Sequence, residues 1–484
     1  MKQRPKTARK KFSTMRASAS RATRIEKSTS RFSKKSSHGG LGPKAHLTRG
    51  KTYLDLISNR QTWIHRRVET ISFLSDDSTK RRFSYDFTLP PEVRKFTVGE
   101  RIGVPIDNMR KETLKNLSVT DASGKALSIW GTDQNGVLGI EVLESLVSGY
   151  LEKDLEDAEK AIIRKIVFGE TEEKSLVEVS KLSFLLKSAS SKSNNEFIAA
   201  MAFVENFAKN FIFVVEVPEE YAGVRNIIKL SYDMEMADEP AVTPRPTSDE
   251  KKIRKWLKVI RRKLSISDYF PIKSEYWAES SYLSSSQSDH LEVHAPDDLQ
   301  VVSLKRYPID ENGDRGIATE SSEALGHIAH IHFRNDPLST SGSVSYVEFA
   351  PVFPGLVIQT FVGVLLGASL LGLECLGVNK LYSIIPNIGD AGPLAAIALA
   401  LPAFLLSLLV RSREHNYVKA TLRAPRAVAF LSTCVLFVSS TSLVLKLSNG
   451  AFWWTLRILA GAQGVLLLVM SALAVTVLQA NRPK

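Results

Sequence analysis

From Pro354 onward the chain is dominated by four apolar runs, and these constrain its fold more than any other feature of the sequence. They are PGLVIQTFVGVLLGASLLGLECLG (354–377), AGPLAAIALALPAFLLSLLV (391–410), AVAFLSTCVLFVSSTSLVLKL (427–447) and TLRILAGAQGVLLLVMSALAVTVLQ (455–479). A helix rises about 1.5 Å per residue, so a run of about 20 residues covers roughly 30 Å, the thickness of a bilayer's hydrocarbon core. Four membrane spans are therefore expected, in a domain covering 351–484.

Short-loop charge sets the expected orientation. The stretch between the second and third runs carries Arg411, Arg413, Lys419, Arg423 and Arg426 against Glu414, and Arg482 and Lys484 follow the last run. The opposite side offers Lys380 beside Asp390, with Lys446 and Arg457 near helix ends. Lys and Arg concentrate in cytoplasmic loops, so the basic loop and both termini are expected to be cytoplasmic in a multi-pass plasma-membrane protein. Trp453 and Trp454 then fall at the far interface, where indoles prefer to lie. Within the spans, Glu374 is expected at the level of the far headgroups. Gln463 lies deeper, where an amide bonds a neighbouring helix. Gly363 with Gly367, and Ala460 with Gly464, have the small-xxx-small spacing that permits close helix contact.

The opposite end has the opposite character. Residues 1–51 hold sixteen Lys and Arg and one acid, a charge of +15, whereas the whole chain is +13. The remaining residues therefore sum to about −2, and the basic pI belongs to the tail. With few aliphatic side chains, residues 1–52 are expected to be a disordered basic tail. Anionic lipid headgroups, nucleic acid or plain solvent are its alternative surroundings, with lipid the first of the two partners. The only two cysteines, Cys375 and Cys434, lie in apolar runs, which excludes a disulfide framework and a cysteine-based metal centre.

Between tail and spans, residues 53–350 carry many short alternating segments. RRFSYDFTLP places Phe83, Tyr85, Phe87 and Leu89 on one face, and NLSVTDASGKALSIW reads as two strands joined at a DASG turn. NFIFVVEV, RNIIKLSYDM, DHLEVHA, LQVVSLKRY, HIAHIHF and VSYVEFA are further strands. This pattern predicts an antiparallel β-sandwich, and the helical spacing over 139–209 predicts a helical insertion in or on it. The fold class expected is α+β, multi-domain, with the soluble part followed by a four-helix transmembrane bundle.

A basic amphipathic helix is expected over 247–264. Ile253, Trp256, Leu257, Ile260 and Leu264 form its apolar stripe, surrounded by Lys251, Lys252, Arg254, Lys255, Lys258, Arg261, Arg262 and Lys263. Such a helix either lies in an anionic membrane surface or docks by its stripe onto the soluble domain.

Five of the nine histidines fall in DHLEVHAPDD and GHIAHIHF. On strands, His290, Glu292 and His294 share a face, as do His330 and His332. Neighbouring strands would assemble either a histidine and carboxylate metal site of the kind zinc accepts or a polar outer face without metal. PIDENGDRG opens like a calcium loop, but Arg315 replaces the required glycine and Ser321 the final glutamate, so a turn is expected there. No P-loop, G-x-S-x-G, H-E-x-x-H or dinucleotide fingerprint occurs, and no cofactor is implied.

The order of these parts, together with SQSDHLEVHAP (286–296), AHIHF (329–333) and REHNYVKATL (413–422), resembles a group of uncharacterised bacterial membrane proteins in which a β-rich domain precedes four spans. The resemblance covers mainly residues 60–484 and implies no activity, and the basic tail departs from it. The sequence thus leaves three functions open. The first is a non-enzymatic interaction or scaffold module with a protein partner or a second copy of itself. The second is a pore or transport subunit using Ser432, Thr433, Ser439, Ser440 and Thr441. The third is a metal-dependent enzyme using the histidines.

Overall fold

The computed structural model describes residues 43–74, 78–96, 101–111, 114–169, 171–189, 193–235, 273–280, 286–308, 320–322, 326–333, 343–384, 400–404, 406–407, 414–444 and 449–481. They form a mixed α/β region followed by long apolar helices.

Helix α1 (Pro43–Ser58) starts inside the stretch assigned to the tail. Its anchorage explains why: Arg49 donates a bidentate pair to Glu141 at 2.7 and 2.6 Å, and a Cβ on Gly50 would stand 2.2 Å from the Glu141 carbonyl oxygen. The charge count alone hid this ordered end of a basic segment. The short α2 (Arg60–Trp63) leads into β1 (Ile64–Phe73), with β2 (Ser78–Thr88), β3 (Arg101–Arg110), β4 (Lys115–Asp121) and β5 (Ser128–Ile129) following. Helices α3 (Thr132–Leu151), α4 (Asp157–Phe168), α5 (Glu172–Ala189) and α6 (Asn194–Lys209) come next. Strands β6 (Asn210–Pro218), β7 (Arg225–Glu235), β8 (Ser274–Ser280), β9 (Ser288–His294), β10 (Leu299–Pro308), β11 (Glu320–Ser322), β12 (Ile328–Phe333) and β13 (Ser343–Pro351) complete the region.

The strands form three sheets where the alternation suggested the two of a sandwich. A six-stranded sheet runs β12-β9-β1-β2-β7-β4, a four-stranded one β11-β10-β13-β8 and a three-stranded one β3-β6-β5. The β1–β9 pair is parallel, which strand periodicity cannot reveal. The DASG turn forms: the Asp121 carboxylate accepts from the Ser123 and Lys125 backbone N–H groups at 2.8 and 2.9 Å, and Gly124 takes φ +89°. The two strands it joins then part, β4 to the six-stranded sheet and β5 to the three-stranded one.

One core joins α1 and α3–α6 to β3, β6 and the inner face of the six-stranded sheet, through residues such as Leu143, Val204, Phe213, Phe87 and Leu230. A second joins β9, β10, β12 and β13 to the apolar helices, and includes Leu291, Val301, Ile331, Phe349, Val357, Val418 and Met470.

Those helices are α7 (Leu356–Ile384), α9 (Arg423–Val444) and α10 (Asn449–Ala480), with the short α8 (Asn416–Thr421) before α9. Among the described residues three helices are long and apolar enough to cross a membrane, over Leu356–Leu376, Arg423–Ser442 and Gly450–Ala480, and they point to membrane association. The run at 391–410 lies mostly outside the described residues, within which 400–404 and 406–407 are helical.

Gln463 is fully buried among the three helices, its amide donating to Ser432 Oγ at 2.7 Å and to the Val364 carbonyl at 3.1 Å. Gly367 makes room for it: a Cβ there would lie 2.8 Å from Gln463 Nε2. Gly363 is buried on the same helix, Ala460 is half-buried on α10, and Gly464 has open space around it. Glu374, expected at the headgroups, turns its side chain into the bundle and accepts from Ser439 Oγ at 2.9 Å.

Candidate functional site: the open face of the six-stranded sheet

Alternation along each strand gives the six-stranded sheet one buried and one open face. On the open face, register aligns two rows across all six strands. One row reads His332, His290, Val68, Ser84, Lys229, Thr120, and the other His330, Glu292, Thr70, Arg82, Ser231, Ser118. Hydroxyls, imidazoles and cations thus fill a surface whose reverse is Ile71, Phe83, Tyr85, Leu230 and Val293. Over β1, β2, β4 and β7 the face dips into an open depression lined by Thr70, Arg82, Ser84, Ser118, Thr120, Lys229 and Ser231. Arg82 and Lys229 form no ion pair with any described residue, and Arg66 faces Asp86, whose carboxylate is already gripped by Arg225 at 2.8 and 2.5 Å.

At the other end of the face the histidines meet. His290 Nδ1 lies 3.0 Å from His330 Nε2, and Ser288 Oγ lies 3.1 Å from His290 Nε2 and 3.0 Å from His332 Nε2. The His290 ring centroid is 5.2 Å from that of His330 and 4.5 Å from that of His332. Burial, with Arg66 and the two neighbouring imidazoles, pushes the His290 pKa down to about 4, so this ring is neutral at pH 7. Of the five residues singled out in sequence, His290 touches two, His330 and His332. Glu292 lies beside His330 in register but takes a 3.3 Å hydrogen bond from Thr70, and His294 pairs with Ile328 at the end of β9. No three His, Cys, Asp or Glu side chains among the described residues converge, as placed, on a point suited to a metal ion.

Behind this face lies a buried polar network that alternation patterns did not disclose. Arg67 donates to Glu69 at 2.9 Å and lies 4.0 Å from Asp289; Arg81 approaches Glu69 at 3.5 Å and the Tyr276 hydroxyl at 3.3 Å. Tyr85 donates to Asp107, and Arg60 to the Pro105 carbonyl at 2.8 Å. Burial disfavours the charge on Arg67, but Glu69, Tyr85, Asp107 and Asp289 together more than offset this and hold the guanidinium above its ordinary range. Burial, then Asp107, pushes the Tyr85 phenol up. Arg67 and Glu69 of RRVE and Arg81 of TKRRF were the available signal: charged residues where a strand's buried face should be apolar.

Of the basic side chains named for topology, Lys419 and Arg423 flank the turn between α8 and α9, and Arg426 pairs with Glu414. Arg411 and Arg413 lie outside the described residues, as do Lys251, Lys252, Arg254, Lys255, Trp256, Lys258, Ile260, Arg261, Arg262 and Lys263, and the calcium-like loop apart from Pro308 and its last two positions, Glu320 and Ser321 in β11. No protein-family profile matches the chain. Curated proteins provide no significant match to it either.

Proposed function

We propose that this chain is a membrane-anchored interaction module whose open six-stranded face receives an acidic protein partner. One observation carries the reading: Arg82 and Lys229 project into a hydroxyl-lined depression with no ion-pair partner among the described residues. Cations left free on a patterned polar surface steer and orient an acidic partner more than they stabilise the fold. The test is affinity purification of the full chain from gently solubilised native membranes, wild type beside Arg82→Glu/Lys229→Glu. A stoichiometric partner lost from the charge-reversed chain supports the reading; the same partner retained, or none in either sample, refutes it.

Contacts beneath the soluble region support the membrane arrangement. Phe73, Tyr276 and Phe349 pack around His415 and Tyr417, just ahead of α9, and Asn481 at the end of α10 donates to the Pro351 carbonyl at 3.2 Å. The start of α7, the start of α9 and the end of α10 therefore lie beside the same soluble region. If α7 crosses the bilayer, residues 385–413 must bring the chain back, which favours 391–410 as a fourth span and both termini on the soluble region's side. Loop charge makes that side cytoplasmic. The tail and the 247–264 segment are then beside the anionic leaflet, the surface they suit chemically. The β1, β9 and β12 part of the large sheet, packed against β8, β10 and β13, is the sandwich-like part of the fold.

A second reading, a transport subunit, is favoured by the Glu374–Ser439 and Gln463–Ser432 contacts inside the bundle, because intramembrane polar groups mark pathways as well as helix contacts. Solute flux through proteoliposomes separates it from the first.

A further inference from the structure

We propose that His290, His330 and His332 form a site for a borderline divalent ion, zinc or copper(II), on the open sheet face. The inference is independent of the partner reading above, which rests on the opposite end of that face.

The backbone supplies the spacing. His330 and His332 are two residues apart on β12 and share a face, which sets their Cβ atoms roughly 7 Å apart. His290 is the cross-strand neighbour of His332 and the diagonal neighbour of His330. Directly opposed Cβ atoms lie about 4.5–5.5 Å apart, so rotation of the side chains can bring the three imidazoles to one point. Tetrahedral zinc with bonds of about 2.0–2.1 Å holds its nitrogens about 3.3–3.4 Å apart. His290 Nδ1 and His330 Nε2, at 3.0 Å, need to separate by only a few tenths of an ångström. His332 must swing its Nε2 away from Ser288; its ring is exposed, so no core contact opposes the turn.

Neighbouring groups suit the role. Glu292 stands next to His330 in register, with its carboxylate held by Thr70, so it can serve as a fourth ligand or orient a bound water. Ser288 holds His290 by its Nε2, which leaves Nδ1 turned toward His330 before any ion arrives. Imidazole donors favour zinc, copper and nickel over magnesium and calcium, which prefer oxygen. With three protein ligands on an exposed face, a coordination position remains for water or for a side chain of a bound protein.

The test uses the full chain in detergent, purified through a tag without histidine, and titrated calorimetrically with zinc. Cobalt(II) absorption reports the ligand field independently. We expect one zinc per chain at this site, weakened at least about tenfold by His290→Ala and by His330→Ala. His294→Ala, on the same face but beyond the trio, should change affinity by less than about twofold, and magnesium should not compete. All three positions are on the surface face, and thermal melts of each variant check that the fold is retained. Absence of saturable zinc uptake overturns the proposal. So does uptake that His290→Ala/His330→Ala leaves unchanged, since other groups would then hold the ion.

Discussion

Glu69 is the residue whose loss should cost this fold most per atom changed. It is 3% exposed and shared by two buried arginines, Arg67 at 2.9 Å and Arg81 at 3.5 Å. Glu69→Gln keeps the shape but removes the charge and replaces one of the two accepting oxygens with a donating NH2. Arg67 would retain Asp289, at 4.0 Å, with Tyr85 and Asp107 nearby, and Arg81 would retain the Tyr276 hydroxyl with Tyr232 nearby. Breaking one buried pair by removing a partner costs about 3–5 kcal/mol, and here two cations are left short, which favours the upper part of that range. For a soluble region of this size such a loss lowers the melting temperature by on the order of 10 °C. Tryptophan fluorescence of the detergent-solubilised full chain during a thermal ramp reads it, since Trp63 lies in the adjoining core. The combined change Arg67→Met, Glu69→Leu, Arg81→Met and Asp289→Asn, which removes these charges together, should recover most of the loss because buried ion pairs exchange for packed apolar groups at little cost. A Glu69→Gln protein within about 1 kcal/mol of wild type would show that the arginine charges are balanced elsewhere and refute the reasoning.

Other consequences are simpler to check. Gly50→Ala drives a methyl into the Glu141 carbonyl and Ser145, and overpacking of that kind costs about 1–3 kcal/mol, read as a lower melting temperature with α1 the first element to exchange its amide hydrogens. Gln463→Leu removes the bonds to Ser432 and Val364 and should destabilise the bundle by about 1 kcal/mol in detergent, while Ser432→Ala made on top of it adds little. His290 has a folded pKa near 4 against an ordinary 6.5, so the unfolded chain binds more protons between those values and stability falls as pH drops through that window. His290→Asn should flatten that limb; an imidazole resonance of His290 titrating at 6.5 or above would contradict the lowered value.

Much of the architecture was legible because periodicity reports which side of an element meets water. Phe83, Tyr85 and Phe87 announced β2, and the long apolar runs announced α7, α9 and α10. What periodicity omits is pairing. The parallel β1–β9 contact brings together segments more than 200 residues apart, and without it neither the Glu69 network nor the two rows across the open face can be drawn. The histidines were visible as alternating positions, and adjacency of β9 and β12 turned three of them into a cluster. Their separation from Glu292 is a side-chain matter, decided by Thr70 on a strand distant in sequence. The contact of Glu374 with Ser439 was not legible, because depth along a helix says nothing of which way the residue faces.

The topology proposed above would put the open sheet face on the side of both termini and position 387 across the bilayer from it. Single cysteines at Ser231→Cys and Asn387→Cys, each in a Cys375→Ser/Cys434→Ser background, can be challenged in intact cells with a membrane-impermeant thiol reagent. The account predicts labelling at position 387 in intact cells, and at position 231 only after lysis. Labelling of both positions before lysis, or of position 231 alone, would contradict it.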